Sequence, residues 1–454
     1  HKAIRRQRQM CIRDSAWNGE TYAYSKYGNK LKDYFDTGFS QNHNVSISNG
    51  TETSHFRASF GASDNKGVFP NEKLNRINID LNAGTELNKW MSIDGKISLS
   101  RTKAEDRPEY GTYGAINQLM GIPHNVRLDD LKQYSTEDAV HVNWYGPSAE
   151  IRNPYYVLHQ RHNSDERWRA FGYYSTKISF TDWLHLSAKY AFDYYRTRVQ
   201  NTNAGDAYNN ETVPSAITDD KMDRGEENFF ESNAEFILMG DRQLTENFRL
   251  GFTLGSNFMY QKFESLSAGV GNMLTKGEWM FNAANLLRTA AETGKERAMN
   301  SVFGSVQMAW KEYLSLDLTA RNDWSSTLPK QNNSFFYPSA NLSFVISDFM
   351  KSIDKSLPSW VTFAKLRLSA AQVGKDTEPY QLYNTYAYKF DNGILTPDKS
   401  NVKLNDNLKP EIATSYEAGL DMKFFDNRFG FDFTYYYSKT KNQIMKAVSY
   451  THLT

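Results

Sequence analysis

The stretch "RFGFDFTYYYSKT" (428–440) places aromatic and polar side chains at alternate positions. One set of positions holds Phe429, Phe431, Phe433, Tyr435 and Tyr437. The other set holds Gly430, Asp432, Thr434, Tyr436 and Ser438. Because successive side chains of a β-strand point to opposite faces, this alternation predicts a strand with one apolar and one mostly polar face.

The same period of two recurs along the chain, for example in "RINIDLNAG" (76–84), "WLHLSAKYAFDYY" (183–195) and "YLSLDLTARND" (313–323). We count about fourteen such strands, most of them near the ~10 residues that cross an outer membrane at a tilt. A barrel of that size has a lumen too wide for side chains to fill, so its polar faces would meet water and its apolar faces lipid. The sequence therefore predicts an all-β protein, a transmembrane antiparallel β-barrel. The charges predicted to face the lumen are Asp80, Lys96, Lys189, Asp317, Arg321, Arg367, Glu417, Asp421 and Lys423.

The connections between these strands are predicted to alternate between short and long. Tight polar turns fall at 86–90, 181–183, 245–247, 311–313 and 425–428. Long segments without a clear period fall at 104–168, 201–227, 266–297 and 376–411. This layout is typical of short periplasmic turns and long extracellular loops, and aromatic residues beside the turns predict a membrane-interface girdle. The girdle candidates are Trp90, Trp183, Trp310, Tyr313, Phe424 and Phe425.

Composition and motifs exclude several other classes of protein. The chain has 454 residues, a net charge of +1 and one cysteine, which leaves no basis for an internal disulfide framework or for nucleic-acid binding. No apolar run approaches the ~18 residues that a transmembrane helix needs. No catalytic constellation, cofactor motif or converging set of metal ligands is visible, so we predict a protein that is not an enzyme and that has no cofactor.

Four stretches together resemble SusC/RagA-type TonB-dependent outer-membrane transporters. They are 41–98, 318–350, 366–376 and 408–444, and the last is the most specific. In it a Lys-Pro-Glu precedes a Glu-x-Gly-Leu-Asp strand, which a Phe-Asp-Asn-Arg turn joins to a Tyr-rich strand. The resemblance implies that this chain supplies about 14 strands of a ~22-stranded barrel, without the signal peptide, TonB-contacting segment and plug of the family.

The resemblance also implies a function in the bacterial outer membrane. Such transporters import glycans or peptides with a SusD-like lipoprotein as lid, and TonB drives them through segments that we expect this chain to lack. A porin-like channel or adhesin without energy coupling is the main alternative. A barrel enzyme and a soluble glycan-binding module are weaker ones.

The predicted ligand site lies in "HVNWYGPSAEIRNPYYVLHQ" (141–160). Aromatic rings can stack on the apolar faces of pyranose rings, while amides and carboxylates bind their hydroxyls. The residues predicted to contact ligand are Trp144, Tyr145, Tyr155 and Tyr156. Alternatively, these side chains only fold the loop or dock the lid.

The two ends of the chain are predicted to be foreign to the protein. The segment "RQMCIRD" (8–14) can be encoded by DNA whose reverse complement encodes "VSYTHLT" (448–454). Inverted flanks of this kind are left by sequencing adaptors. We therefore predict adaptor-derived residues at 1–15, which include Cys11, and at 448–454, with a partial receptor barrel at 16–447.

Overall fold

A computed structural model describes residues 30–108, 114–122, 126–135, 141–142, 153–205, 207–208, 220–275, 277–391, 394–399 and 402–445. The predicted adaptor-derived segments 1–15 and 448–454 lie outside these described residues. The adaptor origin of these two segments therefore stays a prediction.

One large antiparallel sheet dominates the described part of the chain. Its strands are β1 (Phe39–Gly50), β2 (Ser54–Lys66), β3 (Lys73–Asn88), β4 (Met91–Glu105), β6 (Arg161–Ser179), β7 (Leu184–Asn203), β9 (Lys221–Thr245), β10 (Phe248–Met273), β11 (Ala284–Trp310), β12 (Leu314–Ser325), β13 (Ser334–Val345), β14 (Val361–Lys375), β17 (Glu411–Phe424) and β18 (Phe429–Lys441). Two small sheets pair β5 (His141–Val142) with β8 (Ala207–Tyr208), and β15 (Tyr386–Asp391) with β16 (Ile394–Lys399).

The large sheet is a meander in which every strand pairs with the next large strand along the chain. Within the described residues it contains 14 strands, and β1 and β18 form its two edges. This confirms the predicted all-β class and the predicted number of strands. Residues 429–440 of the opening stretch lie in β18, which pairs residue by residue with β17, for example Phe433 with Leu420.

The strand register sorts the side chains onto two faces. Residues directly opposite each other share a face, so the register can be followed from Asp80 to Ser98, Phe171, Asp193 and Glu231. We call this side the polar face. The register places the whole predicted charged set on it, which is Asp80, Lys96, Lys189, Asp317, Arg321, Arg367, Glu417, Asp421 and Lys423.

The opposite side, the apolar face, exposes large hydrophobic side chains over the whole width of the sheet. Ile79, Leu99, Leu318 and Phe433 have exposed fractions of 40%, 41%, 39% and 58%. Soluble proteins rarely leave so wide an apolar surface open to water. A membrane barrel presents such a surface to lipid.

The middle strands are much longer than the sequence pattern predicted. β9, β10 and β11 have 25, 26 and 27 residues, so strand covers most of the predicted loop 266–297. That prediction was wrong because the alternation fades where the apolar face itself becomes polar. On β10 the apolar face carries Lys262, which contacts Glu264 at 2.8 Å. Both faces of this part of β10 carry polar side chains. The backbone hydrogen bonds to β9 and β11 continue the strand without an apolar face.

The connections divide between two ends of the sheet. At the short-turn end they are 51–53, 89–90, 180–183, 246–247, 311–313, 346–360 and 425–428. At the loop end they are 67–72, 106–160, 204–220, 274–283, 326–333 and 376–410. The three longest connections therefore do lie at the loop end. The predicted alternation is not strict, because 67–72 and 326–333 are short and 346–360 at the short-turn end is longer than 274–283. The girdle candidates lie at the short-turn end, where the Trp360 ring stacks on Phe424 at 5.7 Å.

Helices are few and short in the described residues. They are α1 (Lys30–Tyr34), α2 (Ala115–Gly121), α3 (Leu128–Leu131), α4 (Pro154–Gln160) and α5 (Ile346–Ser352), with a 3-10 turn at Phe281–Ala283. None of the helices in these ranges is both long and apolar enough to cross a bilayer. The first four helices belong to the loop end, where α1 precedes β1 and the others lie within 106–160.

Candidate functional site

The predicted ligand loop folds around a small hydrophobic core of its own. Tyr155 and Tyr156 lie on α4 and are only 8% and 1% exposed. The core that they share also contains Tyr34, Leu119, Ile122, Val126, Leu128 and Leu131. Burial raises the pKa of the Tyr34 and Tyr155 hydroxyls, so both stay neutral. Trp144 and Tyr145 lie outside the described residues.

Polar contacts fix α4 in this core. Asn153 caps the helix, since its Oδ1 accepts a hydrogen bond from Tyr155 N at 2.9 Å. The Nδ2 of the same side chain donates to Leu131 O at 2.9 Å. The Tyr156 hydroxyl donates to Gly205 O at 2.8 Å, which ties this loop to 204–220. In this arrangement Tyr155 and Tyr156 hold the loop together, and their contact with a ligand stays a prediction.

The two ends of the 106–160 connection are fastened to each other beside β6. Asn163 accepts from Arg107 N at 3.0 Å and donates to Arg107 O at 2.9 Å. His162 Nδ1 forms a hydrogen bond of 3.0 Å with the carboxylate of Asp106. Burial, and then the nearby charge of His162, lowers the pKa of His159. The start and the end of the loop 106–160 are therefore linked to each other at the loop end of the sheet.

The polar face carries an aromatic row near the loop end, which we name the lumenal row (Tyr195, Phe229 and Phe263). These three residues lie opposite one another on β7, β9 and β10. The Tyr195 and Phe229 rings stack at 4.8 Å, and the Arg167 guanidinium lies 4.7 Å from the Tyr195 ring centroid. The Tyr195 ring is therefore covered by Phe229 and by Arg167.

Charged groups border the lumenal row on the side of the short turns. Arg169 donates two hydrogen bonds to Asp193, at 2.8 and 2.5 Å. On β9, Glu231 accepts from Gln261 Nε2 at 3.2 Å. The sequence prediction missed this row because its three residues come from different strands, and only the strand register brings them together. The alternation in "EENFFESNAEF" (226–236) was the available signal.

A buried carboxylate fastens the start of the long loop 376–410. The Asp376 side chain is 6% exposed and lies 2.7 Å from Arg297 of β11. It also accepts hydrogen bonds from Ser325 Oγ at 2.5 Å and Thr327 Oγ1 at 3.1 Å. We call this group the Asp376 clamp (Arg297, Ser325, Thr327 and Asp376). It joins β11, the end of β12 and the long loop at one point.

The far end of the loop 376–410 is held by the connection 326–333, to which Thr327 of the clamp also belongs. Asn332, in the connection 326–333, donates to Asn407 Oδ1 at 2.9 Å and to Leu408 O at 3.0 Å. The loop is thus held at both ends and carries the β15–β16 hairpin between them. Among the described residues no group of three or more His, Cys, Asp or Glu side chains could hold a metal ion.

The family model described as "TonB dependent receptor-like, beta-barrel" matches residues 136–453. The chain belongs to this family. The match confirms the resemblance to SusC/RagA-type TonB-dependent transporters, and this family consists of transport receptors rather than enzymes.

Known relatives agree with this assignment. TonB-dependent receptor P3 of Formosa agariphila is 26% identical over 430 residues, which are 90% of this chain and 40% of that protein. TonB-dependent receptor SusC of Bacteroides thetaiotaomicron is 21% identical over 443 residues, which are 89% of this chain and 41% of that protein. The chain therefore spans about two fifths of the length of these two curated relatives.

A solved structure shares the fold. The RagAB peptide importer in its closed-closed state superposes with a TM-score of 0.72 at 18% identity, over 90% of this chain and 45% of that one. At this identity the likeness concerns the fold alone. In a barrel of this kind the polar face lines the lumen and the apolar face meets lipid.

Proposed function

We propose that the chain forms a large part of the barrel wall of a TonB-dependent uptake transporter in the bacterial outer membrane. The transporter would import glycans or peptides, with a SusD-like lipoprotein over the loop end. TonB would drive this import. The observation that carries the proposal is the membership of the receptor family, combined with the sheet in which all nine charges predicted to face the lumen share the polar face.

The arrangement of the loops supports a ligand path at the loop end. The fastened loops 106–160 and 376–410 both lie there, and the lumenal row lies on the polar face below them. RagAB, which shares the fold, is a peptide importer, and this supports a large organic substrate. Trp144, Tyr145, Tyr155 and Tyr156 stay proposed ligand residues. Burial of Tyr155 and Tyr156 favours a role in shaping the loop.

Dependence on TonB tests the proposed function. In cells that produce the full transporter carrying this barrel, uptake of a labelled oligosaccharide mixture and of a labelled peptide digest would be measured. We expect uptake of one mixture to fall to background when TonB is deleted, with the barrel still present in the outer membrane. Unchanged uptake without TonB would instead support the alternative, a porin-like channel.

A further inference from the structure

The apolar face carries a groove where β3, β4, β6 and β7 lie side by side, and we name it the outer groove. Its volume is about 610 Å³. This is the size of a site for a small molecule, which is typically ~300–1,000 Å³. The strand register shows which lining side chains point to the apolar face. The walls on that face are Leu81, Ile93, Ile97, Tyr174, Tyr190 and Phe192, and none of these is charged.

The floor of the outer groove consists of two small residues. Ala83 on β3 lies directly opposite Gly95 on β4. Glycine weakens a strand, so its presence here calls for a reason. Gly95 does not have the left-handed backbone that favours glycine. A β-carbon at this position would lie 3.5 Å from Tyr173 O, which is an ordinary contact. Neither the backbone nor the packing therefore requires glycine, and what its missing side chain provides is open space.

The charged residues beside the floor point away from the outer groove. Asp94 and Lys96 flank Gly95 in the sequence and therefore point to the polar face. On that face Asp94 accepts a hydrogen bond from the Tyr173 hydroxyl at 2.7 Å, and Lys96 Nζ lies 5.9 Å from the Phe171 ring centroid. The outer groove therefore offers an occupant aliphatic and aromatic surface without a charge.

The outer groove lies in the half of the membrane that is nearer the short turns. Gly95 comes four positions after Met91, the first residue of β4, and the girdle residue Trp90 directly precedes Met91. At ~3.3 Å per residue and a strand tilt of ~40°, the floor is ~10 Å deep, which is less than half of a hydrocarbon core of ~30 Å. Short turns of such barrels are periplasmic, so the groove faces the periplasmic leaflet.

We propose that the outer groove binds one acyl chain of a phospholipid of the periplasmic leaflet. This inference rests on the proposed place of the barrel in the outer membrane. The groove is continuous with the apolar face, so lipid borders its opening. An empty groove would leave the atoms of its walls without dispersion partners on one side. A flexible hydrocarbon chain fills such a depression and restores these contacts.

A second protein fits the outer groove less well than a lipid chain does. Lipid tails are as apolar as the side chains of a protein partner, so covering the apolar face with protein brings no hydrophobic gain. Association in the membrane then depends on close packing. The floor lies between Leu81, Tyr174 and Tyr190, which are 41%, 54% and 47% exposed. A protein partner would need a protruding side chain at this one point, whereas an acyl chain adapts to the groove.

Photo-crosslinking in phospholipid vesicles tests this inference. The full transporter would be reconstituted with phosphatidylethanolamine that carries a diazirine in the middle of one acyl chain. After irradiation, lipid adducts would be located by peptide mass spectrometry. We expect the adducts around Ala83, Gly95 and Ile97 to exceed those on the apolar face of β12 about fivefold or more, because the groove gives the chain contacts on several sides.

Three variants identify the outer groove as the cause. Gly95→Leu fills the floor and should lower the adducts there about fivefold or more, because the leucine takes the place of the chain. Tyr174→Ala removes a wall and should lower them about threefold, because the ring contacts are lost. Ala320→Leu enlarges a side chain on the apolar face of β12, away from the groove. It should leave the adducts at the groove within about twofold of the parent.

The adduct positions in the parent protein decide the question even if a variant does not fold. An even spread over the apolar face, or an unchanged level of adducts in folded Gly95→Leu, would overturn the inference. Fewer adducts at the outer groove than on β12 would also overturn it and would indicate that protein covers the groove. Any of these results with TonB-dependent uptake intact would leave the proposed transport function standing. Uptake that does not need TonB would refute that function without moving the adducts.

Discussion

Leu368→Arg is expected to destabilise the barrel by about 2–4 kcal/mol, the cost of an arginine on the lipid face near the bilayer midplane. Leu368 lies on the apolar face in the middle of β14, and its ladder partners are Leu342 and Ala418. A guanidinium there would have hydrocarbon around it and no carboxylate to pair with. The free energy of unfolding would be measured by urea titration in lipid vesicles.

The neighbouring residue offers a matched control. Ser369 follows Leu368 and therefore points to the polar face, where it lines a pocket of about 440 Å³ with Asp317 and Glu417. An arginine at Ser369 would meet water and these two carboxylates, so we expect Ser369→Arg to change the unfolding free energy by about 0.5 kcal/mol or less. Equal losses for the two variants would show that the faces are assigned wrongly.

Asp376→Ala is expected to cost about 3 kcal/mol of unfolding free energy. This is the lower end of the range for breaking a buried ion pair, and it applies because Arg297 keeps 28% of its side chain exposed. The substitution leaves the guanidinium of Arg297 without its carboxylate and removes the acceptor of Ser325 and Thr327. We also expect faster proteolysis within 376–410, because the clamp fastens the start of that loop.

Two further variants separate the clamp from ordinary surface charge. Asp348 pairs with Lys351 at 3.0 Å, but both side chains are well exposed, so Asp348→Ala should cost about 0–1 kcal/mol. The double variant Arg297→Met/Asp376→Leu removes both charges and should recover most of the stability, since no buried charge is left unpaired. If Asp376→Ala costs no more than Asp348→Ala, the clamp does not hold the loop.

The sequence allowed the sheet to be predicted well because strand periodicity is local information. The alternation in 428–440 required nothing beyond that stretch, and the register of β17 and β18 bears it out. The alternation also predicted correctly that nine charged side chains lie on one face of the sheet. The prediction failed at 266–297, where both faces become polar and the alternation disappears although the strands continue.

The functional surfaces were harder to predict because they depend on contacts between distant residues. Arg297 and Asp376 are 79 positions apart, and no local pattern pairs them. Tyr156 and the exposed Tyr383 are the same residue type in loops of similar composition, yet one is 1% and the other 67% exposed. Only the packing of α4 against Leu131 and its neighbours makes that difference visible.

Cysteine accessibility along β12 tests whether the two faces of this sheet meet lipid and water. Single cysteines would replace Leu316, Asp317, Leu318 and Thr319 in the full transporter, in a background from which any other cysteine has been removed, and labelling would be measured in native outer membranes. We predict that a small water-soluble thiol reagent labels positions 317 and 319, while a lipid-soluble reagent labels 316 and 318. Labelling without a period of two, or with the opposite phase, would contradict the barrel described above.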